Sequence, residues 1–438
     1  MMRQLSTRLA AAFARRPILP LLVVLLLGLV VRVPLLPGPG FSPDLMQHQQ
    51  WSMCAMEQGW FGMYTCDAAV MTHPPLSVSL VVGSVSAMVT LGGPLQPFDP
   101  NLALMIALKL PSLLFELALV ALVYWITLRR AGWQWAVGVA ALLNFTLGLV
   151  EVTAWWGQTD AIYTFFLVLA LYLLEQEKPR WAWLIYALAW LAKFQSVVFL
   201  PLLFVLTWRR HGWRALLEGG AVFVLVLVLV LAPFVAGSGV RALHPYGGPI
   251  DMFPYITNGA YNLWFWLTGS SPTVLLDSPV LVAGLSYFQV GLLLLGLGTA
   301  LICLRAWLLP ERDDLFFLAA AMNMVFFMLP TQIQVRYLYP GLVCLVLALA
   351  GHWWRVALYG GIAIAFTYNV HDVVWLGNGL IYYPDRLMFW EPVHDALAMT
   401  VFAVVLIGAA LRPLWAVRSE WRQRLLRPAR QSASSGPH

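Results

Sequence analysis

Charge is what this sequence most lacks. Only 11% of its 438 residues are Asp, Glu, Lys or Arg, against about 25% in an ordinary soluble domain. With 61% hydrophobic residues and a mean hydropathy of +0.77, most of the chain must face lipid or other apolar helices, which excludes a water-soluble globule. Cysteine is also scarce. Four residues are too few for a disulfide scaffold. Cys303 and Cys344 fall in apolar stretches as packing residues, whereas Cys54 and Cys66 share one polar loop. A bridge between those two stays open, because it needs an oxidising compartment and spacing alone does not fix geometry. No H-E-x-x-H and no zinc-spaced cysteines occur. No phosphate-cradling Gly-Lys loop occurs either, which excludes ATP as the energy source. No internal repeat is visible, which argues against an inverted-repeat transporter.

What is present is a series of long apolar runs. A spanning helix needs about 20 apolar residues, and the pattern predicts an all-α polytopic membrane protein with about twelve transmembrane helices, near 17–36, 102–128, 134–151, 158–174, 180–192, 194–208, 215–236, 280–304, 315–330, 338–351, 355–371 and 393–411. The first run comes after Arg3, Arg8, Arg15 and Arg16 and lacks a small-residue cleavage site, so it reads as an uncleaved first helix. The segment 75–92 is apolar too, and counting it as a span would invert everything after it. Charge decides the parity. With 75–92 as an interfacial or re-entrant helix, 20 of the 26 Lys and Arg fall on one side, leaving Arg32, Lys109, Lys193, Arg241, Arg336 and Arg386 elsewhere. The positive-inside rule makes that side cytoplasmic, with both termini on it. The net charge of +6 therefore reports topology. Nothing resembles a basic, aromatic-lined nucleic-acid groove.

The whole chain, 1–438, then reads as one transmembrane domain. Its large first outer loop, 37–101, carries interfacial helices, with further outer segments at 237–279 and 372–392. The basic tail, 412–438, rests on anionic headgroups and ends in a disordered QSASSGPH. Trp155, Trp156, Trp264, Trp266, Trp375 and Trp390 lie near outer span ends, as an aromatic belt or, for one or two of them, as lining of a sugar site.

The few charges gather on that outer face. Asp44, in FSPDLMQHQQW, begins a short helix over 45–60, where its carboxylate either faces the headgroup region or caps the helix. His73, in Thr72-His73-Pro74-Pro75, contacts phosphate or caps a turn. Trp156, Gln158 and Asp160 lie in WWGQTDA, after Glu151, and offer polar groups to a ligand or simply make a loop polar. Lys193 interrupts an apolar region with Gln195; a lysine at membrane depth is a functional candidate unless it snorkels to the headgroups. Lys109 and Glu116, seven residues apart on one helix face, can pair within the bundle. Tyr261 and Asn262, in YNLW, make a carbohydrate platform or anchor an interfacial helix. Arg336, with Gln334 in PTQIQVRYLYP, is one of very few outer cations, and a guanidinium suits phosphate because its planar fork donates in pairs. No cofactor is implied. Asp44 has no D-x-D partner, so a divalent metal is without support.

In order and spacing, FSPDLMQHQQW, HPPLSVSL, WWGQTDAIYTFF, LAKFQSVVFLPLLF, YNLW and PTQIQVRYLYP resemble the integral-membrane glycosyltransferases of the GT-C superfamily over nearly the whole chain. The branch it is most similar to contains the lumenal glucosyltransferases of N-glycan assembly and bacterial mannosyltransferase-like proteins related to the second GPI mannosyltransferase. The basic stretch departs from the eukaryotic branch, where His, Glu and Lys occur together; here Arg336 alone is charged. The resemblance implies an inverting hexosyl transfer, of mannose or glucose, at the exoplasmic face of a bacterial plasma membrane. The donor would be a polyprenyl-phosphate-linked sugar and the acceptor a lipid-linked glycan or polysaccharide. It further implies Asp44 as general base, Arg336 with Lys193 or His73 on the donor phosphate, and Gln158, Asp160, Trp156, Tyr261, Asn262 and Gln334 against substrate. The competing expectations are a flippase for lipid-linked sugars, a non-catalytic subunit of the same fold, and an acyl or phosphoryl transferase; the absence of a His-centred motif argues against acyl transfer.

Overall fold

The computed structural model describes residues 17–67, 72–95, 101–247, 252–268, 275–309, 314–376 and 392–426. The N-terminal arginines, Arg386, Trp390 and the end of the basic tail lie outside them. The described chain is almost all α-helix: α1 (Ile18–Arg32), α2 (Ser42–Gln58), α3 (Pro75–Thr90), α4 (Leu102–Ala131), α5 (Trp133–Asn144), a single turn α6 (Leu147–Val150), α7 (Asp160–Glu175), α8 (Pro179–Ala192), α9 (Leu200–Ser238), a short α10 (Leu263–Thr268), α11 (Tyr287–Leu308), α12 (Leu315–Met328), α13 (Tyr339–Leu347), α14 (Trp353–His371) and α15 (Pro392–Leu426). Among the described residues, five helical stretches are long and apolar enough to cross a membrane, or six if the bent pair Trp133–Asn144 with Leu147–Trp155 is one span. These are the marks of a multi-pass helical membrane protein.

Helix occupies most of each expected apolar stretch, with two differences in detail. The stretches near 194–208 and 215–236 belong largely to one continuous element, α9, broken at Gly212, whose φ of 82° and ψ of 175° only glycine adopts readily. Residues 280–286 do not begin a span. Val280–Val282 (β1) and Leu285–Ser286 (β2) form a small antiparallel hairpin, because Ala283 and Gly284 both take positive φ and reverse the chain. Helix α11 then starts on a capping box in which Ser286 and Gln289 satisfy each other's backbone N–H groups.

The core is built around α12, where every residue but Phe326 is buried. Its one polar side chain, Asn323, donates to the Tyr337 carbonyl (3.1 Å) and accepts from the Gly341 amide (2.9 Å), which fixes the start of α13. Helix α1 is held to α5 in a similar way. Asn144 donates to the Val24 carbonyl (2.6 Å), and a Cβ at Gly28 would lie 2.1 Å from the Asn144 side chain, so only glycine permits the approach.

The expected Lys109–Glu116 pair does not form. Seven residues are two turns, about 10 Å along the axis, too far for a direct contact. Glu116 instead takes a bidentate pair from Arg32 (2.7 and 2.9 Å) and the Thr153 hydroxyl (2.5 Å). Lys109 turns to the backbone, donating to the carbonyls of Leu36 (3.1 Å) and Gly38 (2.7 Å). Nor do Trp156 and Trp264 belong to a lipid-facing belt: both are buried, and their indole N–H groups bond Asp44 and the Leu329 carbonyl.

Cys54 and Cys66 are joined, with Cα atoms 6.0 Å apart. The bridge fastens the end of α2 to the segment that carries Met63 and Tyr64 into a small core with Trp51, Val78, Val82 and Phe234. Peptide mapping by mass spectrometry without reductant is expected to recover the two cysteines as one linked pair. The Cys54→Ala, Cys66→Ala variant is expected to lose about 3 kcal/mol of stability, the chain-entropy value for so short a loop. Free thiols at both positions would contradict the linkage.

Candidate functional site

Asp44 sits in the first turn of α2 and does not cap it. Phe41, in extended conformation, holds the capping position without a side-chain bond. Freed of that duty, the Asp44 carboxylate turns toward the 156–158 turn. Its Oδ2 accepts from Trp156 Nε1 (2.7 Å) and from Gln158 Nε2 (2.6 Å). Oδ1 has no hydrogen bond among the described residues, and the side chain is 24% exposed.

The geometry of that turn comes from local backbone. Residues Glu151–Trp155 form one wide π-helical turn, an inserted-residue feature that re-aims the residues after it. The Trp156 amide closes it on the Glu151 carbonyl (2.7 Å), and Gln158 N reaches the Val152 carbonyl (2.9 Å). Gly157, at φ +81°, lets the chain double back, and a Cβ there would lie 2.8 Å from Leu45 and 3.0 Å from Lys109. Lys109 thus sits behind the turn with Nζ holding the 36–38 loop and 5.8 Å from the Trp155 ring centroid. One lysine braces both segments that converge on Asp44.

Two further segments supply cations. At the end of α8, Lys193 adopts an extended conformation that stops the helix. Its ammonium is buried and donates to Asp160 Oδ2 at 2.8 Å, so it does not snorkel to a membrane surface. Gln332 has a positive φ of 64° and begins the turn that carries Arg336. The Arg336 guanidinium lies over the Trp156 ring, 4.9 Å from its centroid. Its Nη1 is 3.7 Å from Asp44 Oδ2 and its Nε is 3.7 Å from Asp160 Oδ2. Both distances exceed a hydrogen bond. This nearly buried guanidinium therefore stands between two carboxylates with none of its donors committed to an acceptor among the described residues. Tyr337 beside it accepts from Gln195 (3.0 Å) and stacks on Phe326.

Beneath Asp44 lies a stack that sequence reasoning did not single out. His48, one turn along α2, and His73 flank the Trp51 ring with centroids 4.6 and 5.1 Å away, and their own centroids are 6.2 Å apart. Burial pushes both imidazoles toward the neutral form, with His48 down to about 4 and His73 well below its ordinary value. Lys193 and Arg336 push the same way in both, His48 adds to the effect in His73, and Asp44 opposes it in His48. The spacing of Asp44 and His48, four residues on one helix, was the available signal.

The structure thus brings together Asp44, Trp156, Gln158, Asp160, Lys193, Arg336 and His73. Several polar atoms there are buried without a partner among the described residues: Gln158 Oε1, Thr159 Oγ1, Asp160 Oδ1, Gln334 Oε1, Arg336 Nε and His73 Nε2. Buried polar atoms are rarely left unpaired, and such clusters mark places where a polar ligand binds. The remaining expected site residues have structural partners. Tyr261 OH donates to Asp372 (2.7 Å), its amide to Asn369 (2.9 Å), and Asn262 donates to the Phe327 carbonyl (3.4 Å). Gln334 pairs through its backbone with residues 258 and 259. Glu151 meets His371 (3.1 Å). Among the described residues, no three His, Cys, Asp or Glu side chains group as metal ligands.

Compared with models of known families the chain matches none, and no curated protein matches it.

The imidazoles make the region sensitive to acid. A group kept neutral by burial takes up its proton only on unfolding, so the unfolded chain binds more protons between about 6.5 and about 4, and stability falls as pH drops through that window. Thermal unfolding measured across it is expected to show this loss, flattened in a His48→Gln, His73→Gln variant. An equally steep loss in that variant would place the cause elsewhere.

Proposed function

We propose that the protein is a GT-C-type glycosyltransferase that moves a hexose, with inversion, from a polyprenyl-phosphate donor to a hydroxyl of a lipid-linked glycan or polysaccharide. Twelve membrane passes with both termini in the cytoplasm and the Asp44 site at the exoplasmic face of a bacterial plasma membrane complete the reading; the distribution of arginines supports it. The observation that carries the proposal is the division of labour around Asp44: Oδ2 is bonded twice by the protein, Oδ1 is left open, and an uncommitted guanidinium stands 3.7 Å away. A base beside a phosphate leaving group requires such an arrangement.

In the reaction, Asp44 Oδ1 accepts the proton of the acceptor hydroxyl as its oxygen attacks the anomeric carbon. The bond from that carbon to the phosphate oxygen breaks, and the electron pair leaves with polyprenyl phosphate. The phosphate passes from about −1 toward −2, so Arg336 binds the transition state more tightly than the ground state. The Lys193 ammonium is spent on Asp160, and its contribution is to fix a second carboxylate that keeps Arg336 in place. The same face supports an enzyme better than a flippase, whose polar groups should lie near the bilayer midplane.

Transfer of radiolabelled sugar from short-chain polyprenyl-phosphate mannose and glucose to a membrane-lipid extract tests the reading. Wild type is expected to move label from one of them, and Asp44→Asn to lose at least ~100-fold in rate, as removal of a general base does. Full activity in the variant would remove Asp44 from that role. Arg336→Ala is expected to weaken binding of polyprenyl phosphate ~10-fold or more and to lower kcat as well. Unchanged affinity would count against the phosphate contact.

A further inference from the structure

We propose that Trp156 is a positioning residue that couples the base to the phosphate cation, and not a platform for the sugar. The proposal rests on the transferase reading above. Trp156 is only 2% exposed, so it presents no open face to a ligand. Its indole is used twice within the protein. The N–H edge donates to Asp44 Oδ2 (2.7 Å), and the ring face carries the Arg336 guanidinium at 4.9 Å. The ring packs beside Phe41, with centroids 5.6 Å apart. Its backbone is pinned by the bond to Glu151 and by Gly40, where a Cβ would lie 3.2 Å from the Trp156 carbonyl.

The chemistry explains why one rigid group should touch both partners. The acceptor proton goes to Asp44, and the electron pair of the broken anomeric bond goes to the phosphate oxygen. One unit of negative charge therefore leaves Asp44 and appears on the phosphate. The group that binds the phosphate must stay close to the base without neutralising it by a direct hydrogen bond. An indole with its edge on the carboxylate and its face under the guanidinium sets such a separation, 3.7 Å here. Bonding Oδ2 also keeps Oδ1 turned toward the acceptor.

The two functions of the ring can be separated in the full-length protein. Trp156→Phe keeps an aromatic face and deletes the N–H; Trp156→Leu deletes both. Binding of polyprenyl phosphate without sugar is measured directly, beside kcat for transfer. Trp156→Phe is expected to bind polyprenyl phosphate within about twofold of wild type while kcat falls ~10-fold or more, the usual effect of losing a bond to a charged group. Trp156→Leu is expected to weaken that binding also, by ~3- to 10-fold. Arg336→Lys leaves the indole untouched and keeps the charge but not the planar stack; it should weaken binding as Trp156→Leu does.

Several results would overturn the proposal. If Trp156→Phe lowers kcat and polyprenyl-phosphate binding by the same factor, the role is merely structural. If it changes the preference between mannose and glucose donors, the ring contacts sugar. Unchanged binding in Arg336→Lys removes the stacking half. A wild type that binds and transfers beside an unimpaired Trp156→Phe defeats this inference alone. A wild type that neither binds polyprenyl phosphate nor transfers sugar defeats the transferase reading and this inference with it.

Discussion

Charges removed from water must be compensated by the protein, and the arrangement of this molecule depends on how that is done at Asp44, Asp160, Lys193 and Arg336. Two acids and two bases cancel, so the group as a whole carries no net charge in its surroundings. The compensation is uneven. Lys193 and Asp160 satisfy each other at hydrogen-bond distance, whereas Arg336 is attracted to both carboxylates and bonded to neither. A buried guanidinium without hydrogen bonds is costly. It persists because the ring of Trp156, the 335–338 turn and the Asn323 amide behind it leave it nowhere else to go.

The Arg32–Glu116 pair shows the other use of the same chemistry. There the fork is bidentate, Thr153 takes part, and a backbone carbonyl accepts a further donor. Nothing in that cluster is left over for a ligand. Both sites bury opposite charges, and the difference between scaffold and reactive centre lies in the unspent donors.

Much of this was legible in the sequence, and the failures have physical causes. Helices were found because apolar length is a strong signal in a chain that has little else. The hairpin at 280–286 was missed because its valines and leucines are as apolar as a span; the Ala283-Gly284 reversal was the only mark of it. Asp44, Asp160, Lys193 and Arg336 stood out because charge is so rare here. Which of them pair did not, since partners separated by 33 to 292 positions in sequence meet only in the fold. His48 was overlooked because a histidine among glutamines in a polar helix carries no pattern of its own. Tyr261 and Asn262 were singled out by composition, yet the fold commits both to holding neighbouring segments in place.

The π-helical turn at Glu151–Trp155 has a consequence for how this site tolerates change. A wide turn holds one residue more than an α-turn, and each residue in a helix advances the chain by about 100°. Deleting any one residue between Glu151 and Trp155 would let the segment relax to ordinary α-helix and swing Trp156 and Gln158 around the axis, away from Asp44, with every side chain of the site still present. Chain length at this point is as much a part of the site as residue identity, and a single in-frame codon loss here would silence it more thoroughly than most substitutions.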